Sequence, residues 1–211
     1  MRPDLRSRSE HGTDLDLLSW RFVRPMTVAS TAAIGGGYGV RQWIFNLQVP
    51  HDYRRTDVDG HVAQIARELE LRDEGVGMMT AAAVRDVTHG HEMGVDVWTT
   101  VGVKTPIWAA SDEEVGEDHV APGTINIVAF LPVRLSDAGL LNALTTVTEA
   151  KSQALWDGGI PATGTASDAV CVVCPTNGEL DRFGGPRSVW GSRLARAVHR
   201  AILVGLDGRD R

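Results

Sequence analysis

The chain has 211 residues, 43% of them hydrophobic, and carries a formal net charge of −6 with a pI near 5.6. That length buries a sizeable core and reads as one domain, while the acidic balance and scattered Lys and Arg give no footprint for a phosphate backbone, so nucleic acid is not expected as a partner. No apolar run approaches the ~20 residues that span a bilayer, and two cysteines build no disulfide framework, so a cytoplasmic protein with no membrane contact is expected.

Residues 1–16 are polar and charged without apolar periodicity, which predicts a disordered arm ahead of a domain over 17–211. From Trp20 onward, β-rich runs recur: WRFV, TVAS, QWIFNLQV, VDVWTTVGV, TINIVAFL and AVCVVC, most bounded by Gly, Pro, Asp or Ser. Helical patterns lie between them. Val62, Ile65, Ala66 and Leu69 share one helix face, with Asp59 as a candidate N-cap. A second helix starts at Ser136 and runs to about Trp156, where two glycines stop it. A third runs from Val189 to Leu203 behind Ser188. The pattern predicts an α/β or α+β class, a single domain of mixed β-sheet layers covered by helices. Segments 111–122 and 177–188 read as long surface loops, either of which has the reach to close over a ligand.

Cys171 and Cys174 form a CxxC inside an alternating apolar run. Residues three apart on a strand point to opposite faces, so core packing is expected rather than a redox pair or a metal site. His89, His91 and Glu92 form a weak HxHE group, read as an exposed turn around Gly90; no metal site is expected. In AIGGGYGV, the absence of Cβ atoms at Gly35, Gly36 and Gly37 would let backbone N–H groups approach a ligand, or simply make a turn. On the second helix, Asn142, Thr145, Thr146, Glu149, Ser152 and Gln153 share a polar stripe with a single charge. Lys151 instead falls in register with the apolar Leu140, Leu144 and Val147, so its stem snorkels along the core edge or its ammonium meets a carboxylate in a pocket. Thr163, Thr165, Ser167 and Asp168 cluster before the AVCVVC run, as a polar rim for a ligand or as an ordinary turn entering a strand.

The segment GTINIVAFLPVRLSD, the helix ending in TEAK, and the turn TGTASDA resemble, in that order, the blocks of the adenosylcobinamide amidohydrolase family. STAAIGGG, NLQVP, GVGMMTAA and TTVGV upstream are similar too, so the resemblance covers nearly everything from Trp20 to Leu203. Two loops depart from it: Lys104, Thr105 and Pro106 stand where the family pattern has an Asn before a Pro, and FGGPRSVWG lacks a Thr near its end.

The resemblance implies a corrinoid-salvage hydrolase that cleaves the amide between the aminopropanol arm and a corrin propionyl group, giving cobyric acid. It implies catalytic roles for Glu149, Asp168, Lys151 and Thr124, and corrinoid contacts from Gly35, Gly36, Gly37, Asn46, Thr80, Asn126, Asn142, Thr163, Thr165 and Ser167. Glu149 and Asp168 would then converge on one pocket. No cofactor of the protein's own is implied, cobalt arriving within the corrinoid substrate, and self-association is left open. A fainter similarity of GTINIVAF and TGTASDAV to ornithine acetyltransferases and DmpA-type aminopeptidases makes Thr124 the candidate nucleophile. The alternatives are a corrinoid-binding protein without hydrolysis, and a self-processing acyltransferase or peptidase.

Overall fold

The computed structural model describes residues 1–10, 12–72, 74–112 and 123–208. The described residues form one α+β domain, a mixed sheet of eight strands with three α-helices. The strands are β1 Asp4–Glu10, β2 Thr13–Ser30, β3 Gly37–Gln48, β4 Gly75–Thr80, β5 Thr88–Glu92, β6 Val95–Val101, β7 Ile125–Phe130 and β9 Ala169–Pro175, while two short segments, β8 Arg134–Leu135 and β10 Leu180–Asp181, pair apart from it. The helices are α1 Val58–Glu68, α2 Asp137–Asp157 and α3 Val189–Asp207. Spatial order is β4-β3-β2-β9-β7-β6-β5, with β1 beside the first half of β2.

The expected disordered arm is instead a hairpin. β1 runs antiparallel to β2 from Asp4 opposite Ser19 to Glu10 opposite Thr13. β1 buries almost no apolar surface, so periodicity cannot reveal it; polar contacts hold it, among them Ser7 Oγ to Asp16 Oδ1 at 2.7 Å and Arg8 to the Gln48 carbonyl at 2.8 Å. The predicted WRFV and TVAS strands are one strand, β2. Its register slips between Arg21 and Met26, where Pro25 has no N–H to give the ladder and Val23 turns fully to solvent.

One sheet face is covered by helices. Ile125, Ile127 and Ala129 of β7, with Val170, Val172 and Cys174 of β9, pack under α2 and α3, and Val62 and Ile65 of α1 cover Phe45 and Leu47 of β3. The other face closes on itself. Trp20 and Phe22 of β2 each lie 6.2 Å, ring centre to ring centre, from Phe130 of β7, which requires the sheet to curl. Strands buried on both faces read as continuous apolar runs, which is why TINIVAF and AVCVVC show in the sequence.

The helix caps follow the sequence at Ser136 and Ser188, whose hydroxyls accept from the Gly139 and Gly191 amides. The α1 cap is Asp57 rather than Asp59: its carboxylate accepts from the Gly60 amide, and Asp59 sits in the first turn. His89, Gly90 and His91 lie in β5, paired with β6, and not in a turn. Segment 177–188 is pinned to α2 by the Thr146 hydroxyl donating to the Gly184 carbonyl, and β10 within it pairs with β8. Most of the other expected loop, 113–122, lies outside the described residues.

Candidate active site

Three elements converge on one corner. β7 and β9 are parallel neighbours with Asn126 opposite Ala169, so Thr124 and Ser167, two residues earlier on each, come side by side. Their hydroxyls lie 2.7 Å apart, Thr124 buried and Ser167 exposed. Between these strands in sequence runs α2, which packs over β9 and lays Lys151 on the turn that enters it.

Asp168 closes this corner. Its Oδ1 accepts from the Ile125 amide at 2.8 Å, and its Oδ2 accepts from the Thr165 amide at 3.0 Å and from the Lys151 ammonium. The Thr165 hydroxyl stands 2.5 Å from Asp168 Oδ1 and 2.7 Å from the Gly123 carbonyl, one proton between two acceptors. Lys151 and Asp168 are 8% and 9% exposed, so this is a nearly buried ion pair. Gly164 passes so close to both charged ends that any Cβ there would strike them, a requirement invisible in the sequence except as a Gly between two threonines. Of the two fates the register of Lys151 allows, the structure takes the carboxylate partner.

Beneath Thr124, on the same face of β7, lies a buried amide network. Asn126 Nδ2 donates to Asn46 Oδ1 at 2.8 Å and to the Met79 carbonyl at 3.0 Å, and Asn46 Nδ2 donates to Thr100 Oγ1 at 3.0 Å. These side chains tie β7 to β3, β4 and β6 across the curled sheet and are at most 2% exposed, so they set the position of the wall and do not form its surface. Thr80 is equally buried, its hydroxyl accepting from the Ala82 amide. Thr100 is a member that sequence reasoning missed, although it stands in the TTVGV block.

The remaining candidates lie elsewhere. Glu149 is exposed; two residues from Lys151 is about 200° around a helix, so it points away from the ion pair. It lines an open depression of about 480 Å³ with Thr145, Thr148 and Ser152. Glu149 and Asp168 therefore do not share one pocket. Asn142 borders a separate cleft of about 560 Å³ with Phe183, Pro186 and Arg187. Thr163 holds backbone: its hydroxyl accepts from the Ala109 amide at 2.8 Å and donates to the Ile107 carbonyl at 3.2 Å. Gly35 and Gly36 fit against the backbones of Gly75 and Ala32, where a Cβ would clash, and their carbonyls accept from Arg41; Gly37 is open at φ +83°. Gly35 and Gly36 serve close backbone packing.

Cys171 and Cys174 face opposite sides of β9, in different cores. Burial pushes the Cys171 thiol up to about 12 and raises that of Cys174. His89 and His91 both reach Asp96, at 2.9 and 3.1 Å. Among the described residues no cluster of three or more His, Cys, Asp and Glu is arranged to hold a metal.

Two adjacent hydroxyls, a fixed ammonium and a carboxylate already laden with donors are groups that can serve acyl transfer to or from an amide. The chain belongs to the adenosylcobinamide amidohydrolase family, whose model matches residues 2–211. It is 27% identical to the adenosylcobinamide amidohydrolase of Methanosarcina mazei over 190 residues, 86% of this chain and 90% of that protein. Its identity to the enzyme of the same name from Halobacterium salinarum is 30% over 173 residues, 79% and 74% of the two chains. An uncharacterized protein of Methanocaldococcus jannaschii is 25% identical over 177 residues, 70% and 69% of the two chains.

Proposed function

We propose that the corner of Thr124, Ser167, Lys151 and Asp168 hydrolyses the amide of adenosylcobinamide, releasing aminopropanol and leaving cobyric acid. The observation that carries this is the Thr124 hydroxyl at the opening of β7, 2.7 Å from Ser167 and one residue from the backbone amide clamped by Asp168. In this reading Thr124 Oγ attacks the propionyl carbonyl and passes its proton to the Ser167 hydroxyl, which hands its own proton on to the amide nitrogen. The C–N bond breaks, the amine departs with a proton, and water then cleaves the Thr124 ester to the free acid and restores the hydroxyl. Lys151, oriented by Asp168, supplies positive charge to the oxyanion side, and Asp168 acts as a positioning residue. In this reading Glu149 and Asn142, which border two other surface depressions, stay outside the chemical step.

The reading needs no metal of the protein's own. An ammonium already occupies the free side of the Asp168 carboxylate, and hydroxyls are poor ligands beside it. Cobalt enters with the substrate. No helix among the described residues is long and apolar enough to cross a membrane, and both cysteines are free thiols, which supports a reducing, cytoplasmic setting. The net charge of −6 argues against nucleic acid as a partner. The test is chromatography of adenosylcobinamide after incubation with purified protein, before and after dialysis against EDTA. Cobyric acid forms in both; loss of activity restored by zinc contradicts the metal-free reading, and no product at all contradicts the hydrolase.

A further inference from the structure

Two tryptophans stand on the surface beside this corner, Trp108 47% exposed and Trp156 61% exposed. Their ring centres are 5.9 Å apart and their planes cross at 58°. Rings so tilted leave one face open on each side of a corner, so a flat guest can stack on one indole while its edge meets the other. A single exposed aromatic is unremarkable, but a pair fixed in this geometry is an apolar patch that asks for an occupant.

The pair is anchored to the candidate active site through the backbone. Ile107 bridges to Gly164, with the Ile107 amide 2.9 Å from the Gly164 carbonyl, and the amide of Thr163 donates back to the Ile107 carbonyl at 2.9 Å. The Ala109 amide is bound by the Thr163 hydroxyl, so both neighbours of Trp108 are pinned to the turn that carries Thr165 and Asp168. On α2, Ser152 donates to the Thr163 carbonyl at 3.0 Å, one helical turn before Trp156. The indoles are thus preorganised against the same turn as the catalytic corner, and ordering them on binding costs little.

We propose that the Trp108–Trp156 corner receives the adenine base of the adenosylated substrate and is the specificity-determining contact for that group. This rests on the hydrolase reading above, which supplies a substrate with one planar heteroaromatic base; the corrin, buttressed by axial ligands on both faces, stacks poorly. The occupant is therefore the adenine and not the macrocycle.

The experiment compares adenosylcobinamide with cyanocobinamide, which carries the same amide but no adenine, for the wild-type protein and the variants Trp108→Leu, Trp156→Leu and Trp156→Phe. Turnover of both corrinoids and their equilibrium binding by ultrafiltration are measured, with thermal melting to confirm folding. Each Leu variant raises KM and Kd for the adenosyl form about 5- to 150-fold, the range of a base stacked on an aromatic ring, and changes cyanocobinamide by less than about 3-fold. Trp156→Phe recovers most of the loss, and kcat stays near wild type. Unchanged discrimination in folded variants overturns the proposal, as does a shift in oligomeric mass alone, which would make the pair a surface for a second copy. If the wild-type protein hydrolyses neither corrinoid, the hydrolase reading fails, and the binding ratio still decides the aromatic corner.

Discussion

The ammonium of Lys151 meets the carboxylate of Asp168 where α2 crosses the turn before β9, each side chain less than a tenth exposed. Asp168 simultaneously accepts from the backbone amides of Ile125 and Thr165, so one carboxylate joins a helix, a strand and a turn. Removing one member of a nearly buried pair strands the other, at about 3–5 kcal/mol. Asp168→Asn is therefore destabilising by that amount in denaturant unfolding, and more so than Lys151→Met, because the Asn amide turns an N–H toward donors. The double variant loses less than the sum. Additive losses in the cycle would show the pair to be uncoupled.

The Asn46–Asn126 amide pair holds β7 against β3. Asn46→Ala leaves the Asn126 amide without that acceptor and costs about 1–3 kcal/mol, lowering Tm by roughly 2–12 °C in a chain of this size. A melting temperature equal to wild type would mean the network carries no weight.

Both cysteines are core residues. With the Cys171 thiol pushed up to about 12 by burial, native protein at pH 8 resists iodoacetamide, while urea-unfolded protein takes up two equivalents. Cys171→Ala with Cys174→Ala lowers stability by about 1–2 kcal/mol and leaves kcat unchanged. Abolished turnover at an unchanged Tm would contradict this.

His61 is 1% exposed, its Nδ1 2.8 Å from the Tyr53 hydroxyl. Burial lowers its pKa, against an opposing pull from Glu10. The folded protein thus keeps His61 neutral where the unfolded chain, titrating near ~6.5, takes up a proton. The stability His61 contributes is complete above that value and is lost as pH falls through the folded pKa. Urea unfolding at pH 7.5 and 5.5 shows the decline, and His61→Gln flattens it. An equal decline in the variant would assign it to other groups.

Apolar runs bounded by turn residues were enough to read β7 and β9, the two-residue period of a strand sent Cys171 and Cys174 to opposite faces, and helical register alone placed Lys151 on the buried side of α2. The partner of Lys151 was not legible, because the turn carrying Asp168 reaches it only once α2 packs back over β9. Thr124 beside Ser167 depends on strand order and register, which no local pattern encodes. β1 escaped notice because polar side chains and backbone hydrogen bonds hold it, and the curl that brings Asn46 to Asn126 is a property of the whole sheet. The expected convergence of Glu149 with Asp168 fails for a helical reason: two residues from Lys151 on α2 is about 200° of rotation, so Glu149 stands beside Thr145 and Thr148 instead.

Thr124 is the proposed residue that forms the acyl bond. Wild-type protein and Thr124→Ala, a change that removes one methyl-sized branch and a hydroxyl from a buried site, are to be compared for conversion of adenosylcobinamide to cobyric acid alongside equilibrium binding of the same corrinoid. With Thr124 as nucleophile, turnover is at least ~100-fold slower in the variant, and affinity stays within about 3-fold of wild type. Wild-type turnover by a folded Thr124→Ala protein would contradict it and place the nucleophile elsewhere.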